Sequence, residues 1–297
     1  MSAPSDDARY GPGPDASTLD AAAAYPPAVY PPGASEPAAY EHVSLRRHDK
    51  VMELVLDRPD AHNALSTAMA QEIAAATRAL AADGGVRAVV VSASGTKAFC
   101  VGADLKERNG FSDADLMRQR PHFRAAFGGI LDLPMPTLAA VHGYALGGGF
   151  EFALSCDLIV ADETAVVGLP EVSVGVIPGG GGTQLLSRRV GASRAADLIF
   201  TARRVDAAEA HRIGILDRLV PAGEARTAAL ELAAQIALNS PVGLRAAKRA
   251  LRRGYDVDLA TGLDVEDGAW RATAFSGDRR EGVAAFNEKR PPVWPGV

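Results

Sequence analysis

Two glutamates, each placed beside a run of glycines, are the residues of this sequence whose type and position best suit chemistry. Glu151 follows three consecutive glycines in GYALGGGFEFALSCD (residues 143–157), and Glu171 precedes a glycine-rich turn in GLPEVSVGVIPGGGGTQ (residues 168–184). A carboxyl group among apolar neighbours keeps its proton to higher pH, which suits general acid and base catalysis. We therefore treat both glutamates as candidate acid–base groups.

Backbone amides near these glutamates form a second candidate set. A glycine has no Cβ, so a ligand can approach the amides of residues 147–149 closely. A helix that begins there directs unpaired N–H groups at such a ligand. Gly102 and Ala103, in KAFCVGADLKE (residues 97–107), offer another bare stretch of backbone. A tight turn with a solvated acid at a helix start explains residues 143–157 equally well, and that alternative stays open at this point.

The common nucleotide, hydrolase and metal motifs do not account for these segments. PGGGGTQ (residues 178–184) lacks the GK[ST] of a P-loop, and GYALGGG does not fit GxGxxG. SGTK (residues 94–97) matches SxxK but has no partner SDN or KTG motif, and neither GxSxG nor HExxH occurs. The two cysteines, Cys100 and Cys156, have no metal-type spacing. We expect free thiols in a reducing compartment and no metal site.

The hydrophobic pattern predicts alternating strands and helices that would position these groups. Strands are predicted at residues 51–59, 86–94, 136–143 and 158–162, and helices at 66–83, at about 113–131 and directly after the glycines at 147–149. Ser66 is the expected N-cap of the first helix, and residues 86–94 have the continuous β-branched run of a strand buried on both faces. This order is typical of an α/β fold. Beyond about residue 190 the pattern becomes almost wholly helical.

Composition limits the partners and the compartment. The 297-residue chain has a formal net charge of -5, which gives no overall electrostatic reason to bind nucleic acid or an anionic membrane. Residues 1–40 are rich in Pro, Ala and Gly and predict a disordered tail, without the pattern of a secretory signal. No run of about 18 apolar residues predicts a membrane helix. We expect a cytoplasmic protein.

Four segments together resemble the signature segments of the enoyl-CoA hydratase/isomerase (crotonase) family, in order and in spacing. They are GYALGGGFEFALSCD, AFCVGADLKE, LPEVSVGVIPGGGGTQ and EGVAAFNEKRPP. The resemblance covers about residues 42–297. It implies a spiral of ββα units over residues 41–239 that carries the active site, and a helical C-terminal region at 240–297 that mediates trimerisation. The implied assembly is a homo-trimer or a dimer of trimers.

The resemblance also assigns roles to the candidate groups. The amides of Ala103 and Gly148 match the family's oxyanion hole, which holds the thioester carbonyl oxygen of an acyl-CoA. Glu151 and Glu171 match its two catalytic acids, which hold a water molecule between them. We assign Glu151 as the base and Glu171 as the acid. Isomerases and some other branches keep only one of these acids, so the presence of both favours hydration.

Further site residues follow from the same resemblance. The positions implied to contact coenzyme A are Val101, Asp104, Lys106 and Lys289. The positions implied to line the acyl pocket are Leu105, Arg108, Pro170 and Gly179. Coenzyme A is here a part of the substrate, so we expect no separate cofactor. A surface lysine in solvent explains Lys106 equally well on sequence grounds.

Three functional hypotheses stay open. The first is an enoyl-CoA hydratase of broad chain length, and the second is a dedicated methylglutaconyl-CoA hydratase, because FCVGADLKER, IPGGGGTQ, DLATGLDVE and AFNEKRPP resemble that branch, also called the AU-RNA-binding homologue. A dedicated enzyme needs a cation for the free carboxylate of its substrate; the candidates are Arg108, Arg118, Arg120 and Arg124. The third, RNA binding, is disfavoured because Arg78 is the sole cation of residues 66–83.

Overall fold

The computed structural model describes residues 40–297, in which the strands form two β-sheets. In chain order the strands are β1 (Val43–His48), β2 (Val51–Leu56), β3 (Ala88–Ala93), β4 (Ala98–Cys100), β5 (Thr137–Val141), β6 (Tyr144–Leu146), β7 (Leu158–Asp162), β8 (Val166–Gly168), β9 (Val205–Asp206) and β10 (Arg218–Val220). The helices are α1 (Thr67–Ala82), α2 (Leu105–Arg108), α3 (Asp113–Leu131), α4 (Gly148–Leu154), α5 (Gly182–Val190), α6 (Ala192–Thr201), α7 (Ala207–Arg212), α8 (Ala225–Ala237), α9 (Pro241–Gly254), α10 (Leu259–Ala274) and α11 (Gly277–Glu288).

The order of the strands confirms the predicted spiral of ββα units. The large sheet has the order β1-β2-β3-β5-β7-β10 and is parallel except for the antiparallel pair β1 and β2. The small sheet has the order β4-β6-β8-β9. Each of the successive pairs β3/β4, β5/β6 and β7/β8 places its first strand in the large sheet and its second in the small one, and helical segments follow.

The large sheet lies between two apolar layers. Val89 and Val91 of β3 belong to the main core cluster, which includes residues of α1. Ala88 and Val90 on the opposite face pack in a second cluster with α8, which contributes Ala229, Leu232, Ala233 and Ala237. The prediction that residues 86–94 form a strand buried on both faces is therefore confirmed.

Most of the predicted elements appear with bounds close to those expected. Ser66 caps α1 by accepting a hydrogen bond from the amide of Met69 at 3.2 Å. The helix predicted at about 113–131 and the strand predicted at 158–162 are α3 and β7. The small sheet was not predicted from the pattern, because its strands have only two or three residues and show no periodicity.

Helix α9 is attached to the α/β core by buried charges. Lys248 Nζ lies 2.7 Å from Asp157 and donates a hydrogen bond to the carbonyl oxygen of Met135 at 2.9 Å. Arg252 pairs with the same carboxylate at 2.7 Å. Ser240 caps α9, so a new helical region begins at the residue where we placed the boundary. The division at 239/240 stays a prediction, and the predicted tail lies almost wholly outside the described residues.

No helix between residues 40 and 297 is both long enough and apolar enough to cross a lipid bilayer.

Candidate active site

Two backbone amides from different loops lie side by side with no acceptor. Leu65 forms a parallel bridge with Ala103, in which its amide bonds to the carbonyl of Gly102 and its carbonyl accepts from the amide of Asp104. This pattern leaves the N–H of Ala103 itself outside the bridge. Gly148 is the first residue of α4, where the helix supplies no acceptor. Within residues 40–297 neither amide donates a hydrogen bond to another protein group.

The closeness of these two loops is enforced at Gly102. Its φ of +89° lies in the left-handed region that favours glycine. A Cβ atom at this position would lie 3.0 Å from the amide nitrogen of Gly148 and 2.9 Å from the carbonyl oxygen of Leu146. The backbone before Ala103 therefore packs directly on the start of α4, which brings both free amides to one place.

Of the three glycines before Glu151, two are required by the local geometry of the backbone and one is not. Gly147 has a φ of +51°, and its amide donates to the carbonyl of Gly168 at 2.9 Å. A Cβ on Gly149 would overlap the carbonyl group of Cys100, so Gly149 lets α4 pack against β4. A Cβ on Gly148 would meet Phe127 at an ordinary 3.5 Å. Gly148 is therefore the glycine to which the prediction of an amide exposed to a ligand applies. Gly147 and Gly149 are glycines because of backbone conformation and packing.

Glu151 lies in the first turn of α4 with 3% of its surface exposed. Its Oε1 accepts hydrogen bonds from the amides of Gly180 and Gly182, both at 2.7 Å. Burial raises the pKa of Glu151, and these amides partly oppose that shift because they favour the ionised form. The glycine-rich turn that the sequence placed after the second acid therefore holds the first acid.

Glu171 begins a short 3-10 helix, Glu171–Val174, which precedes the glycine turn at residues 178–182 in the chain. A Cβ on Gly147 would lie 3.1 Å from its Oε1. Its Oε2 is buried and has no hydrogen-bond partner within residues 40–297. Burial raises the pKa of Glu171 to about 7, and the charge of Glu151 acts in the same direction. A carboxyl group with this pKa can give or take a proton near neutral pH.

The two carboxyl groups are thus held in unequal environments around one place. Glu151 has two amide donors that favour its negative charge, and Glu171 has a free carboxyl oxygen and a higher tendency to keep its proton. Both adjoin the stretch of backbone that carries the free amide of Gly148. This arrangement can stabilise a developing oxyanion while one group accepts a proton and the other donates one.

Most of the other predicted site residues lie close in the chain to Gly102 and Ala103, here called the oxyanion loop, or to Glu171 and the glycine turn. Asp104 caps α2 by accepting from the amides of Lys106 and Glu107, and it pairs with Arg58 at 3.1 Å. Lys106 is exposed on α2, as is Leu105. Val101 and Pro170 are partly buried next to the oxyanion loop and Glu171 respectively. The contacts of these residues with coenzyme A stay predictions.

Lys289 is separated from these loops in the chain and is the C-cap of α11, with a φ of 57°. Its side chain forms no hydrogen bond or ion pair within the described part of the chain. The contact of Lys289 with coenzyme A, which the resemblance implies, stays a prediction.

Phe127 was missed from the sequence. It contacts both halves of the site, because Cβ atoms built on Gly148 and Gly180 would lie 3.5 Å and 2.7 Å from its ring. Its ring also packs on Phe152 of α4 with the ring centroids 5.9 Å apart. The apolar periodicity of α3 predicts that Phe127 is buried, but no local motif indicates that it faces the catalytic groups.

The chain matches the family model for enoyl-CoA hydratase/isomerase over residues 46–296. It belongs to this family, as the resemblance of its segments predicted.

Individual relatives have closely similar sequences and folds. The methylglutaconyl-CoA hydratase of Homo sapiens is 40% identical over 250 residues, which are 83% of this chain and 74% of that protein. The enoyl-CoA isomerase/hydratase fer4 of Mycosarcoma maydis is 40% identical over 254 residues, 83% of this chain and 93% of that one. The crystal structure of an enoyl-CoA hydratase from Bacillus anthracis superposes with a TM-score of 0.85 at 39% identity, covering 86% of this chain and 100% of that one.

Proposed function

We propose that this protein is an enoyl-CoA hydratase, a hydro-lyase that adds water across the 2,3 double bond of an enoyl-CoA thioester. One observation carries the proposal: the amides of Gly148 and Ala103 have no acceptor within residues 40–297, and they lie close to two carboxyl groups in unequal environments, the buried Glu151 and the half-buried Glu171. Such a site suits a reaction in which a carbonyl oxygen gains charge while protons move at neighbouring carbons.

The two amides would bind the thioester oxygen. When a nucleophile adds at C3, negative charge moves through C2 to this oxygen and an enolate forms. A preorganised donor at such an oxygen contributes about 3 to 4 kcal/mol to the stability of the transition state. The amides of Ala103 and Gly148 need no rearrangement for this role, because the packing of Gly102 on α4 already fixes them.

The carboxyl groups would move the two protons. Glu151, whose ionised form is favoured by the amides of Gly180 and Gly182, takes a proton from water as the water oxygen bonds to C3. Glu171, which keeps its proton to about pH 7, then protonates C2 and becomes ionised. The product is a 3-hydroxyacyl-CoA. Transfer of the proton from Glu151 back to Glu171 restores the starting state.

The presence of both carboxyl groups in one site supports hydration over double-bond isomerisation, which moves a single proton between two carbons. The test is an assay with a panel of 2-enoyl-CoA and 3-enoyl-CoA esters. A hydratase converts the 2-enoyl esters to 3-hydroxyacyl-CoA, which chromatography separates from both substrates. Conversion of 3-enoyl to 2-enoyl esters without hydration would instead establish an isomerase.

A dedicated methylglutaconyl-CoA hydratase is the second candidate. It has the support of the human and mouse relatives that carry this name at 40% identity, and of two arginines beside the glycine turn that are described below. RNA binding has no comparable support, because the net charge of the chain is -5.

We further propose that the chain assembles as a homo-trimer or a dimer of trimers through its C-terminal helices. These helices expose large apolar side chains to an unusual extent for a monomer; the most exposed are Leu251, Leu259, Phe275 and Phe286, each at least 75% exposed. The molar mass in solution, measured by light scattering, tests this assembly.

The two buried, free cysteines fit our proposal of a cytoplasmic location.

A further inference from the structure

Two arginines at the edge of the site, Arg108 and Arg120, lack carboxylate partners. Arg118 pairs with Asp115 on the surface of α3, and Arg124 has an interaction of its own. In contrast, neither Arg108 nor Arg120 forms an ion pair with any residue from 40 to 297. Of the four arginines that the sequence offered for a substrate carboxylate, the structure thus distinguishes two.

Arg108 is held in a fixed orientation. Its Nε donates to Oε1 of Gln119 at 2.8 Å, and its guanidinium carbon lies 5.0 Å from the ring centroid of Phe123. Gln119 is 3% exposed and is fixed in turn by Thr67 and Glu107. Among residues 40–297 only the Nε of Arg108 donates a hydrogen bond, so its two terminal nitrogens keep their hydrogens for a ligand.

The charge of Glu107 acts on Arg108, but the carboxylate oxygens of Glu107 are hydrogen-bonded to other residues. Its two oxygens accept hydrogen bonds from the amide of Thr67 at 3.2 and 3.0 Å, and one also accepts from Gln119. This carboxylate therefore positions α2 and Gln119, and it leaves the terminal nitrogens of Arg108 unpaired.

Arg120 connects this cation to the catalytic groups. Its Nη2 donates to the carbonyl oxygen of Gly179 at 2.6 Å, and the next residue, Gly180, donates its amide to Glu151. The charge of Arg120 acts on Arg108 on one side and on Glu151 on the other. Two like charges are therefore held close together, and neither forms an ion pair within residues 40–297, because Glu107 is bound to Thr67 and Gln119 and Glu151 is bound to the glycine turn. An anion that joins the two guanidinium groups would offset their repulsion.

Aromatic rings line the space between these cations and the oxyanion amides. Phe123 lies under Arg108, and its ring centroid is 6.4 Å from that of Phe127. Phe127 in turn adjoins Gly148. An acyl group that starts at the Gly148 amide and follows these rings would bring its far end to the two arginines.

We propose that Arg108 and Arg120 bind a carboxylate at the far end of the acyl group, so that the preferred substrate is an enoyl-CoA whose acyl chain ends in an acid. The inference rests on the proposed hydratase function and specifies its substrate class. Two guanidinium groups can bind one carboxylate through several charge-assisted hydrogen bonds, which recognise it better than a single point charge does.

The experiment compares glutaconyl-CoA, which has a terminal carboxylate, with hex-2-enoyl-CoA, which has an uncharged chain of similar length. The ratio of their kcat/KM values is measured for the wild type and for Arg108→Met, Arg120→Met and Arg118→Met. Arg118→Met is the matched control, because Arg118 is an exposed arginine on the same helix as Arg120 but is paired with Asp115. Circular dichroism and thermal melting check the fold of each variant.

We expect the wild type to prefer glutaconyl-CoA. Arg108→Met and Arg120→Met should each lower the ratio by roughly ten- to a hundredfold, the range for a hydrogen bond to a charged group. Arg118→Met should change it less than about twofold, as for an exposed ion pair. A wild type that prefers hex-2-enoyl-CoA, or a ratio unchanged in both site variants, would overturn the inference.

Binding measurements distinguish a failure of this inference from a failure of the proposed function. If the wild type hydrates neither ester, the hydratase proposal fails, and calorimetry with glutaryl-CoA and hexanoyl-CoA still decides the inference. Tighter binding of glutaryl-CoA that is lost in Arg108→Met and Arg120→Met supports the carboxylate site. Equal affinity for the two saturated esters contradicts it.

Discussion

Glu151 and Glu171 both adjoin Gly147: the amide of Glu151 donates to its carbonyl oxygen at 3.0 Å, and a Cβ on Gly147 would lie 3.1 Å from Oε1 of Glu171. Of the two, only Glu151 accepts hydrogen bonds from the glycine turn at residues 178–182 within the described part of the chain. The amides of Gly180 and Gly182 both bind Oε1 of Glu151 at 2.7 Å, whereas Oε2 of Glu171 has no partner within residues 40–297. Because the charge of one raises the pKa of the other, the two groups share their protons as a coupled pair. We expect this inequality to divide the roles of base and acid between two residues of the same type.

Removal of either carboxyl group should abolish most of the hydration. Glu151→Gln and Glu171→Gln are each expected to lower kcat by about a hundredfold or more, because each removes one of the two proton transfers. Binding of the CoA ester should persist, since neither substitution alters the oxyanion amides. Steady-state kinetics with crotonyl-CoA and calorimetry with butyryl-CoA measure the two effects.

The double variant tests whether both groups act on the same water. Two residues that serve one step lose much less together than the product of their separate losses. Losses that multiply in Glu151→Gln/Glu171→Gln would show that the two carboxyl groups act independently.

The pH dependence of kcat/KM should follow the proton on Glu171. Since its pKa is raised to about 7, it is protonated below that pH and loses its proton above it. If Glu171 is the acid, kcat/KM declines as the pH rises through about 7, and the residual activity of Glu171→Gln lacks this decline. A wild-type profile that instead rises through about pH 7 would make Glu171 the base and reverse our assignment.

Ionisation of Glu171 should lower the free energy of unfolding at high pH. An unfolded Glu titrates near 4.5 and the folded Glu171 near 7, so between these values the folded protein binds more protons and its stability falls as the pH rises. Above about pH 7 the loss is complete, at about 1 to 2 kcal/mol after allowance for the part of the side chain that water reaches. Glu171→Gln should remove this loss.

Urea unfolding of the wild type and of Glu171→Gln, at one protein concentration and at about pH 5 and about pH 8, measures the difference. The variant should gain on the wild type as the pH rises. An equal change in both proteins would mean that Glu171 titrates normally in the folded state.

Four strands of the large sheet, β2, β3, β5 and β7, were predicted because they are long enough to show an apolar pattern. The other two, β1 and the three-residue β10, were not predicted. Residues 86–94 and 113–131 have the apolar patterns of a buried strand and an amphipathic helix, and both elements were observed. The small sheet was not predictable from local pattern, since its strands have two or three residues and are defined by pairing between distant parts of the chain. The family resemblance supplied the alternation of strands that periodicity did not.

The residue types of the candidate site could be read from the sequence, but their contacts could not. The glycines near each carboxyl group indicated that Glu151 and Glu171 are candidate acid–base groups. Nothing in LPEVSVGVIPGGGGTQ indicates that Gly180 and Gly182 hold Glu151 rather than Glu171. Such contacts depend on how the turn folds back on α4, which is set by tertiary packing.

Gly148 and Gly149 offer the sharpest test of the oxyanion site, because substitutions at these adjacent glycines should act in different ways. At Gly148 the N–H matters, and at Gly149 the packing of α4 on β4 matters. Proline suits the first position of a helix, and at Gly148 it would remove the amide while leaving α4 able to form. Alanine at Gly148 keeps the amide, and its Cβ would make only ordinary contacts with Phe127 and Gly102. Gly149→Ala would instead force α4 away from β4, because the added Cβ overlaps the carbonyl of Cys100.

Gly148→Pro is therefore expected to fold and to lose about a hundred- to a thousandfold in kcat, the effect of removing one oxyanion donor. Gly148→Ala should retain far more of the activity, and Gly149→Ala should lower the melting temperature markedly, since backbone must move to admit the methyl group. Hydration kinetics and thermal melting of the three variants distinguish these effects. A folded Gly148→Pro enzyme that turns over like Gly148→Ala would place the oxyanion donor elsewhere, because the two variants differ mainly in the N–H at this position.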